Sequence, residues 1–250
     1  MYDFKSTYLF SSVVTQTPYF TQYYQAKMPD VRQTNFMSFH FNPILENFQF
    51  LESFQKDFHQ DTDQSFLRFH WPQDEGIYPE IFSYLHENNY QLGRMELLKI
   101  NPQDFMMSSS QPEITITSLN KNNMEDYLNL NYEADLEHGR IYAEQKQIQY
   151  QGYLKRPHIQ PYLAFHNNHL VASIDLIVLK SSIEINSLYV APKYRRQGIA
   201  SALQEKAVEI AEEHKSVLIL IADAEDTPID MYEEQGYDSL HSIIIAEKQL

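Results

Sequence analysis

The chain contains no cysteine, which excludes disulfides, thiolate metal sites and a cysteine nucleophile. No stretch approaches the ~20 consecutive apolar residues of a bilayer-spanning helix. The N-terminus, Met1-Tyr2-Asp3-Phe4-Lys5, lacks the basic-then-apolar pattern of a secretory signal, so the cytoplasm is the expected location. Positive charge is scarce: 19 Lys and Arg stand against 34 Asp and Glu, a formal net charge of −15. Nucleic acid and anionic membrane both need a positive footprint and are not expected as partners. The acidity suits a cationic substrate such as an amine, and equally suits plain solubility.

What is present is a folded α/β chain, with 43% apolar residues over a length of 250, enough for two ordinary domains or one large one. Fourteen of the 15 phenylalanines precede residue 110 and only Phe165 follows it. The polar, proline-ending stretch Met107-Ser108-Ser109-Ser110-Gln111-Pro112-Glu113 between these regions reads as a linker. Two domains are therefore expected, 1–110 and 111–250. Neither is basic, with 7 basic and 13 acidic groups in the first and 12 and 21 in the second.

In the first domain Tyr2–Tyr24 reads as partly helical, Asn35–Phe41 and Phe66–Trp71 as strands, Tyr78–Glu87 as a helix and Gln91–Ile100 as a strand. Between the first two strands Ile44, Phe48, Leu51, Phe54 and Phe58 recur at helical spacing, an aromatic stripe expected to face the core. In the second domain the strands are Glu113–Leu119, Pro161–His166, Leu170–Leu179, Ser182–Val190, Val217–Ala222 and Ser239–Glu247. Its helices are Asn122–Leu136, Ile141–Leu154, Gly198–Glu213 and Pro228–Gln235. Thr227 reads as the cap of the last helix and Gly236 as the left-handed residue after it. His166 and His169 flank an Asn-rich turn at a spacing that could suit a metal, but no third ligand is visible, and turn polarity accounts for them.

The chain is organised around Ser187–Ser201. A short strand ends at Val190, a basic loop with one glycine follows, and an amphipathic helix starts at Gly198. Ile199, Leu203, Ala207, Ile210 and Ala211 form its apolar stripe. First-turn N–H groups of a helix lack partners inside it, and the helix dipole adds partial positive charge, so this arrangement can seat a pyrophosphate. The run Arg195-Arg196-Gln197-Gly198-Ile199-Ala200 resembles the acyl-CoA-binding signature of the GNAT acetyltransferase superfamily, Gln/Arg-x-x-Gly-x-Gly/Ala. Leu188, Val190 and Pro192 sit where that family has them. A second run, Met231-Tyr232-Glu233-Glu234-Gln235-Gly236-Tyr237, resembles the family's ending Leu/Met-Tyr-x-x-x-Gly-Phe/Tyr.

The resemblance covers about 113–250. It implies a GNAT acyltransferase fold, with a central mixed sheet flanked by helices, and acetyl-CoA as co-substrate. It also implies an acetyl group passed directly from thioester to a primary amine of a small molecule or peptide. Backbone groups of Leu188, Tyr189 and Val190 would hold the pantetheine arm, and N–H groups from Arg195 through Gln197, Gly198, Ile199, Ala200 and Ser201 the pyrophosphate. Tyr232 falls on the tyrosine that faces the thioester sulfur. Glu184 matches a glutamate that some members use as base, often through water; otherwise it is a half-exposed strand carboxylate. By simple alternation it shares a face with Asn186 and Leu188. The family's frequent asparagine and alanine before the tyrosine are Glu225 and Pro228 here. No metal is implied. A non-catalytic acyl-CoA-binding or scaffold protein that kept the fold is the alternative.

The first domain reads as a worn copy of the second. Tyr84-Leu85-His86-Glu87-Asn88-Asn89-Tyr90 lines up with Met231–Tyr237, which puts Leu85 where Tyr232 stands. Asn42-Pro43 replaces the basic glycine loop. Such a copy could not hold the cofactor, and its expected role is to complete the substrate cleft or to pair subunits in a homo-oligomer.

Overall fold

A computed structural model describes residues 2–106, 113–225 and 228–250. The chain divides into two compact units whose sequences interleave. The first comprises Met1–Glu96, Ala222–Asp226 and Leu240–Leu250, and the second Leu97–Ile221 and Thr227–Ser239. The expected linker residues 107–112 and the expected cap Thr227 lie outside the described residues. The first unit thus takes in Ala222–Asp226 and Leu240–Leu250 from the C-terminal part of the chain.

In the first unit β1 (Ser12–Gln16), β2 (Phe20–Tyr24), β3 (Phe36–Phe39) and β4 (Phe66–His70) follow one another. Of the expected helical character before Tyr24 only a 3-10 turn at Phe4–Ser6 is present, because β1 and β2 form an antiparallel hairpin. Its corner is built on Thr17, whose Oγ1 accepts the N–H groups of Tyr19 and Phe20 at 3.1 and 3.0 Å. That local hydroxyl-to-backbone bonding turns the chain before a helix can propagate. β2 and β3 are antiparallel, and β3 and β4 parallel. Helices α1 (Leu45–Asp61) and α2 (Pro79–Glu87) follow β3 and β4, and β5 (Gln91–Ile100) leads the chain out.

The aromatic stripe of α1 is only partly core. Phe48 and Leu51 are buried, but the inward row continues through Gln55 and His59, while Ile44 and Phe54 are exposed. The polar pair turns inward because it satisfies β4. Gln55 Nε2 donates to the Arg68 carbonyl at 2.9 Å and its Oε1 accepts the Arg68 N–H at 3.1 Å. His59 Nδ1 lies 2.5 Å from the Phe66 carbonyl. Burial without charge pushes the imidazole down to about 4.

The second unit holds β6 (Thr115–Ser118), α3 (Met124–Asp135), α4 (Arg140–Gln151), β7 (Ile159–His166), β8 (His169–Val178) and β9 (Ser182–Val190), then α5 (Ile199–Glu213), β10 (Val217–Asp223), α6 (Pro228–Glu234) and the start of β11 (Asp238–Gln249). The sequence β6-β7-β8-β9 is antiparallel throughout, and β10 joins β9 in parallel, so this sheet is mixed. Asn167 and Asn168 both adopt positive φ, 48° and 64°, the left-handed pair that a two-residue hairpin turn requires. His166 lies in that turn's hydrogen bonding, with Nδ1 3.0 Å from the Glu113 carbonyl and Nε2 2.9 Å from Asn167 Nδ2.

Helices cover both faces of the second sheet. Lys206 of α5 lies 5.8 Å over the Tyr162 ring of β7. Tyr127 of α3 bonds Asp175 of β8, a residue that points away from Ile174, the partner of Tyr162. The α5 stripe read from sequence, Ile199, Leu203, Ala207, Ile210 and Ala211, is buried without exception.

Candidate active site

The sequence puts a bulge and a parting of strands at one place. The register of β8 with β9 shifts between Asp175–Ser187 and Leu176–Ile185, leaving Asn186 as the extra residue. A bulge swaps the faces of everything beyond it. Simple alternation therefore fails here: Glu184 shares its face with Ser187 and Tyr189, not with Asn186 and Leu188. On the other side, the parallel register of β9 with β10 runs from Ser182–Val217 to Ile185–Leu220 and stops. Among the described residues, β9 beyond the bulge thus has no register with β10, and that strand edge keeps backbone groups available for a ligand.

The loop that follows is held in an uncommon conformation. Pro192–Tyr194 makes one 3-10 turn, Arg196 and Gly198 have φ of 60° and 80°, and α5 begins at once. Gly198 adopts the left-handed region at no steric cost, whereas Arg196 pays roughly 1–2 kcal/mol for it. The first α5 bond of this loop runs from the Ala202 N–H to the Gly198 carbonyl at 3.0 Å, so the N–H groups of Ile199, Ala200 and Ser201 precede the helical ladder. Arg195 differs from the expectation. Its N–H closes the 3-10 turn onto the Pro192 carbonyl at 3.3 Å. Its Nε donates to the Val190 carbonyl at 3.0 Å, and its guanidinium lies 5.9 Å over the Tyr189 ring. One arginine therefore braces the strand end, and the carbonyl of Val190 is already engaged. The Ile199 side chain is core, leaving only its backbone for a ligand. The Gln197 side chain closes the loop on the Lys193 carbonyl at 3.2 Å.

Helix α6 ends as its sequence requires. Gly236 has φ of 96°, and a Cβ there would stand 2.8 Å from the Asp104 carbonyl oxygen, so conformation and space both demand glycine. Met231 meets α5, its sulfur 3.9 Å from Gln204 Nε2, which ties the second motif to the helix of the first. Tyr232 is buried against Tyr237, ring centroids 5.4 Å apart. Among the described residues its hydroxyl has no hydrogen-bond partner, and burial pushes the phenol up to about 12. Such a group keeps its proton at neutral pH. Glu225 is exposed, its N–H bonded to Asp223 Oδ1 at 2.9 Å.

Sequence comparison agrees with this geometry. Residues 122–237 match the acetyltransferase (GNAT) family. The chain carries a GNAT domain. Residues 2–98 match a domain of unknown function, DUF5613. No curated protein matches the chain. Over nearly its whole length the fold is similar to a functionally unknown conserved protein from Staphylococcus epidermidis, at 26% identity, 99% and 98% coverage of the two chains, and TM-score 0.90. It is also similar to a GCN5-related N-acetyltransferase from Kribbella flavida (16%, 95% and 89%, 0.65). A tandem GNAT protein from the clavulanic acid biosynthesis pathway follows the same fold (11%, 80% and 69%, 0.55). GNAT-fold structures thus match both halves of the chain.

The GNAT domain also holds a buried polar cluster that the sequence motifs do not include. Asp175 of β8 is 1% exposed and accepts the Tyr127 hydroxyl with both carboxylate oxygens at 2.8 Å. Asp135 accepts the Tyr150 hydroxyl at 3.0 Å, and Gln149 donates to the Tyr153 hydroxyl at 2.6 Å. The Lys146 ammonium lies 5.0 Å over the Tyr150 ring. Burial pushes Asp175 up to about 7 against the opposing pull of Tyr127 and Lys146, raises Asp135 and lowers Lys146. Glu184, 4% exposed, lies on the same sheet face, so it is a buried rather than half-exposed carboxylate. A lone acid inside the apolar run Val171-Ala172-Ser173-Ile174-Asp175-Leu176-Ile177-Val178 was the available signal.

Proposed function

We propose that the GNAT domain is an acetyl-CoA-dependent N-acetyltransferase that passes the acetyl group directly to a primary amine. The observation that carries this reading is the parting of β9 from β10 beyond Ile185–Leu220, next to a left-handed loop and the open first turn of α5. The fit to coenzyme A rests on these features. The β9 edge at Leu188 and Tyr189 offers peptide groups to an amide-rich arm. The N–H groups of Ile199, Ala200 and Ser201 offer donors and dipole charge to a pyrophosphate, and Arg196 adds a cation independent of pH. Acetyl-CoA, when bound, would supply the activated thioester and leave as the thiol of coenzyme A.

The chain's residues then have three tasks. A main-chain N–H near Val190 stabilises negative charge on the carbonyl oxygen. An alkyl amine with pKa near ~10 has to lose a proton before it attacks, and Glu184, buried on the face of Tyr189, is the candidate acceptor of that proton. As the carbon–sulfur bond breaks, Tyr232 gives its proton to the thiolate; held up to about 12, the phenol still carries that proton at neutral pH. Proton transfer by such a group is worth roughly 10²–10⁴ in rate.

The exposed carboxylate of Glu225 and the proline at 228 depart from the family pattern and favour the second reading, an acyl-CoA-binding protein without turnover. Thiol release from acetyl-CoA on polyamine, aminoglycoside and peptide amines decides between them. Turnover that Tyr232→Phe suppresses supports the enzyme. Binding of coenzyme A with no turnover on any amine supports the binder.

A further inference from the structure

We infer that the hydrogen bond from Tyr127 to Asp175 seats the α3–α4 wall beside Tyr189, making Asp175 a positioning residue for the acceptor amine, active as its carboxylate. The amine part of this proposal rests on the transferase reading. The seating part rests on geometry alone.

Asp175 stands opposite Ser187, the first paired residue beyond the bulge of β9. On the same face the next cross-strand pair is Ser173 with Tyr189, one step nearer the end of β9. From above, α3 delivers Tyr127 to both oxygens of Asp175. An ionised carboxylate only accepts, whereas a protonated one carries an O–H that must also be placed. Donation by Tyr127 to these oxygens favours the charged form. The same helix runs on toward Glu133, and Glu137 follows it in the next turn. Both carboxylates act electrostatically on Tyr189. A shift of α3 is thus a shift of the acidic rim that faces the end of β9.

The charges around Asp175 do not balance. From α3 come Tyr127 and Asp135, and from α4 come Lys146 and Tyr150. The turn after α4 adds Tyr153, itself influenced by Arg156. From β9 comes Glu184, while β7 places Pro161 opposite and no titratable group. Asp175 and Asp135, both buried, share one cation, Lys146. Enclosed excess charge of one sign is resolved by holding a proton or by admitting a cation. Asp175, pushed up to about 7, changes charge in the neutral range. As pH rises through that value it becomes the acceptor Tyr127 needs, α3 seats, and the amine binds more tightly.

The test compares the pH dependence of kcat/KM for the amine in wild type, Asp175→Asn and Tyr127→Phe, with the KM for acetyl-CoA as internal control. Wild type is expected to show an ionisation near pH 7 carried by the amine KM. Asp175→Asn is expected to abolish it. Tyr127→Phe removes a donor that favours the carboxylate and is expected to move the ionisation upward by about one unit, roughly tenfold in amine KM below it. Unchanged profiles in both variants, or effects confined to the KM for acetyl-CoA, overturn the proposal. Carboxyl ¹³C resonances of labelled aspartate are followed in parallel on the full chain. A resonance titrating near neutral pH that vanishes in Asp175→Asn, with α3 amide signals moving along the same curve, supports the seating claim even where no amine turns over. In that case the transferase reading falls and the amine claim with it. Absence of that titration overturns the seating claim whether or not the enzyme is active.

Discussion

The two units end their last helices in the same way and differ in what those helices carry. After α2 the Tyr90 N–H bonds the Leu85 carbonyl at 2.9 Å and Asn89 takes φ of 60°. After α6 the Tyr237 N–H bonds the Tyr232 carbonyl at 3.0 Å and Gly236 takes φ of 96°. Both sheets contain a parallel pair beside an antiparallel neighbour, β3–β4 next to β2 in one and β9–β10 next to β8 in the other. The first unit, however, enters α1 through Ile44 in ordinary extended conformation, without a left-handed loop. Its counterpart of Tyr232 is Leu85, fully buried in an apolar core. There the tyrosine hydroxyls of Tyr84 and Tyr90 close on one carboxylate, Glu52, at 2.6 and 2.5 Å. The comparison teaches that packing and capping outlast chemistry. A left-handed loop at Arg196 and Gly198, and Tyr232 where the first unit has Leu85, separate a candidate site from a scaffold.

The sharpest way to break this comparison is to substitute at the paired positions. Tyr232→Phe is expected to lower amine turnover by roughly 10²–10⁴ while leaving coenzyme A binding intact, measured by steady-state rates and calorimetry. Leu85→Ala is expected to cost about 2–5 kcal/mol of stability in urea unfolding, with turnover per folded molecule unchanged. Reversal of those outcomes would move the chemistry to the first unit. Next in size are the two caps. Gly236→Ala meets both a forbidden φ and the Asp104 carbonyl, and is expected to cost more than Asn89→Ala, for which the left-handed backbone alone costs roughly 1–2 kcal/mol. Asn89→Gly is expected to be neutral or nearly so, which thermal melts will show.

The units also respond to pH with opposite signs. His59 in the first unit has its folded pKa depressed from 6.5 to about 4. In that window the unfolded chain binds a proton the folded one refuses, so its contribution is lost as pH falls. Asp175 in the second is raised from 3.8 to about 7. Over that range the folded chain keeps a proton the unfolded one has released, so its contribution is lost as pH rises. Asp175→Asn is expected to flatten the decline toward neutral pH, and His59→Gln the decline toward acid, in melting temperature against pH. The smallest expected effect is Arg196→Gly, which relieves left-handed strain and removes one cation. Stability should rise by up to ~1 kcal/mol, and coenzyme A should bind more weakly, increasingly so at low salt.

Much of this architecture is legible in the residues, and the gaps have physical causes. The α5 stripe is visible because one face of a helix repeats every three or four residues, and Gly236 because nothing else fits. The hairpin of β1 and β2 hides among mixed aromatics, although Val13-Val14-Thr15 and the Thr17-Pro18 corner are β-branched and turn signals. Gln55 and His59 do not read as core, because periodicity counts apolar residues while these two are buried to satisfy β4. Neither the bulge at Asn186 nor the interleaving of the units is written in any local spacing, since both arise from strand pairing across the fold. The two motifs mark the candidate cofactor cleft, but the acids behind Tyr189 come from three separate segments and share no pattern.

Calorimetric titration of coenzyme A into the intact chain tests the central claim most directly. One equivalent per chain is predicted, with binding lost or greatly weakened in Ala200→Pro, which deletes a first-turn N–H outside the helical ladder. Undiminished binding in that variant, two equivalents per chain, or none at all would contradict the account.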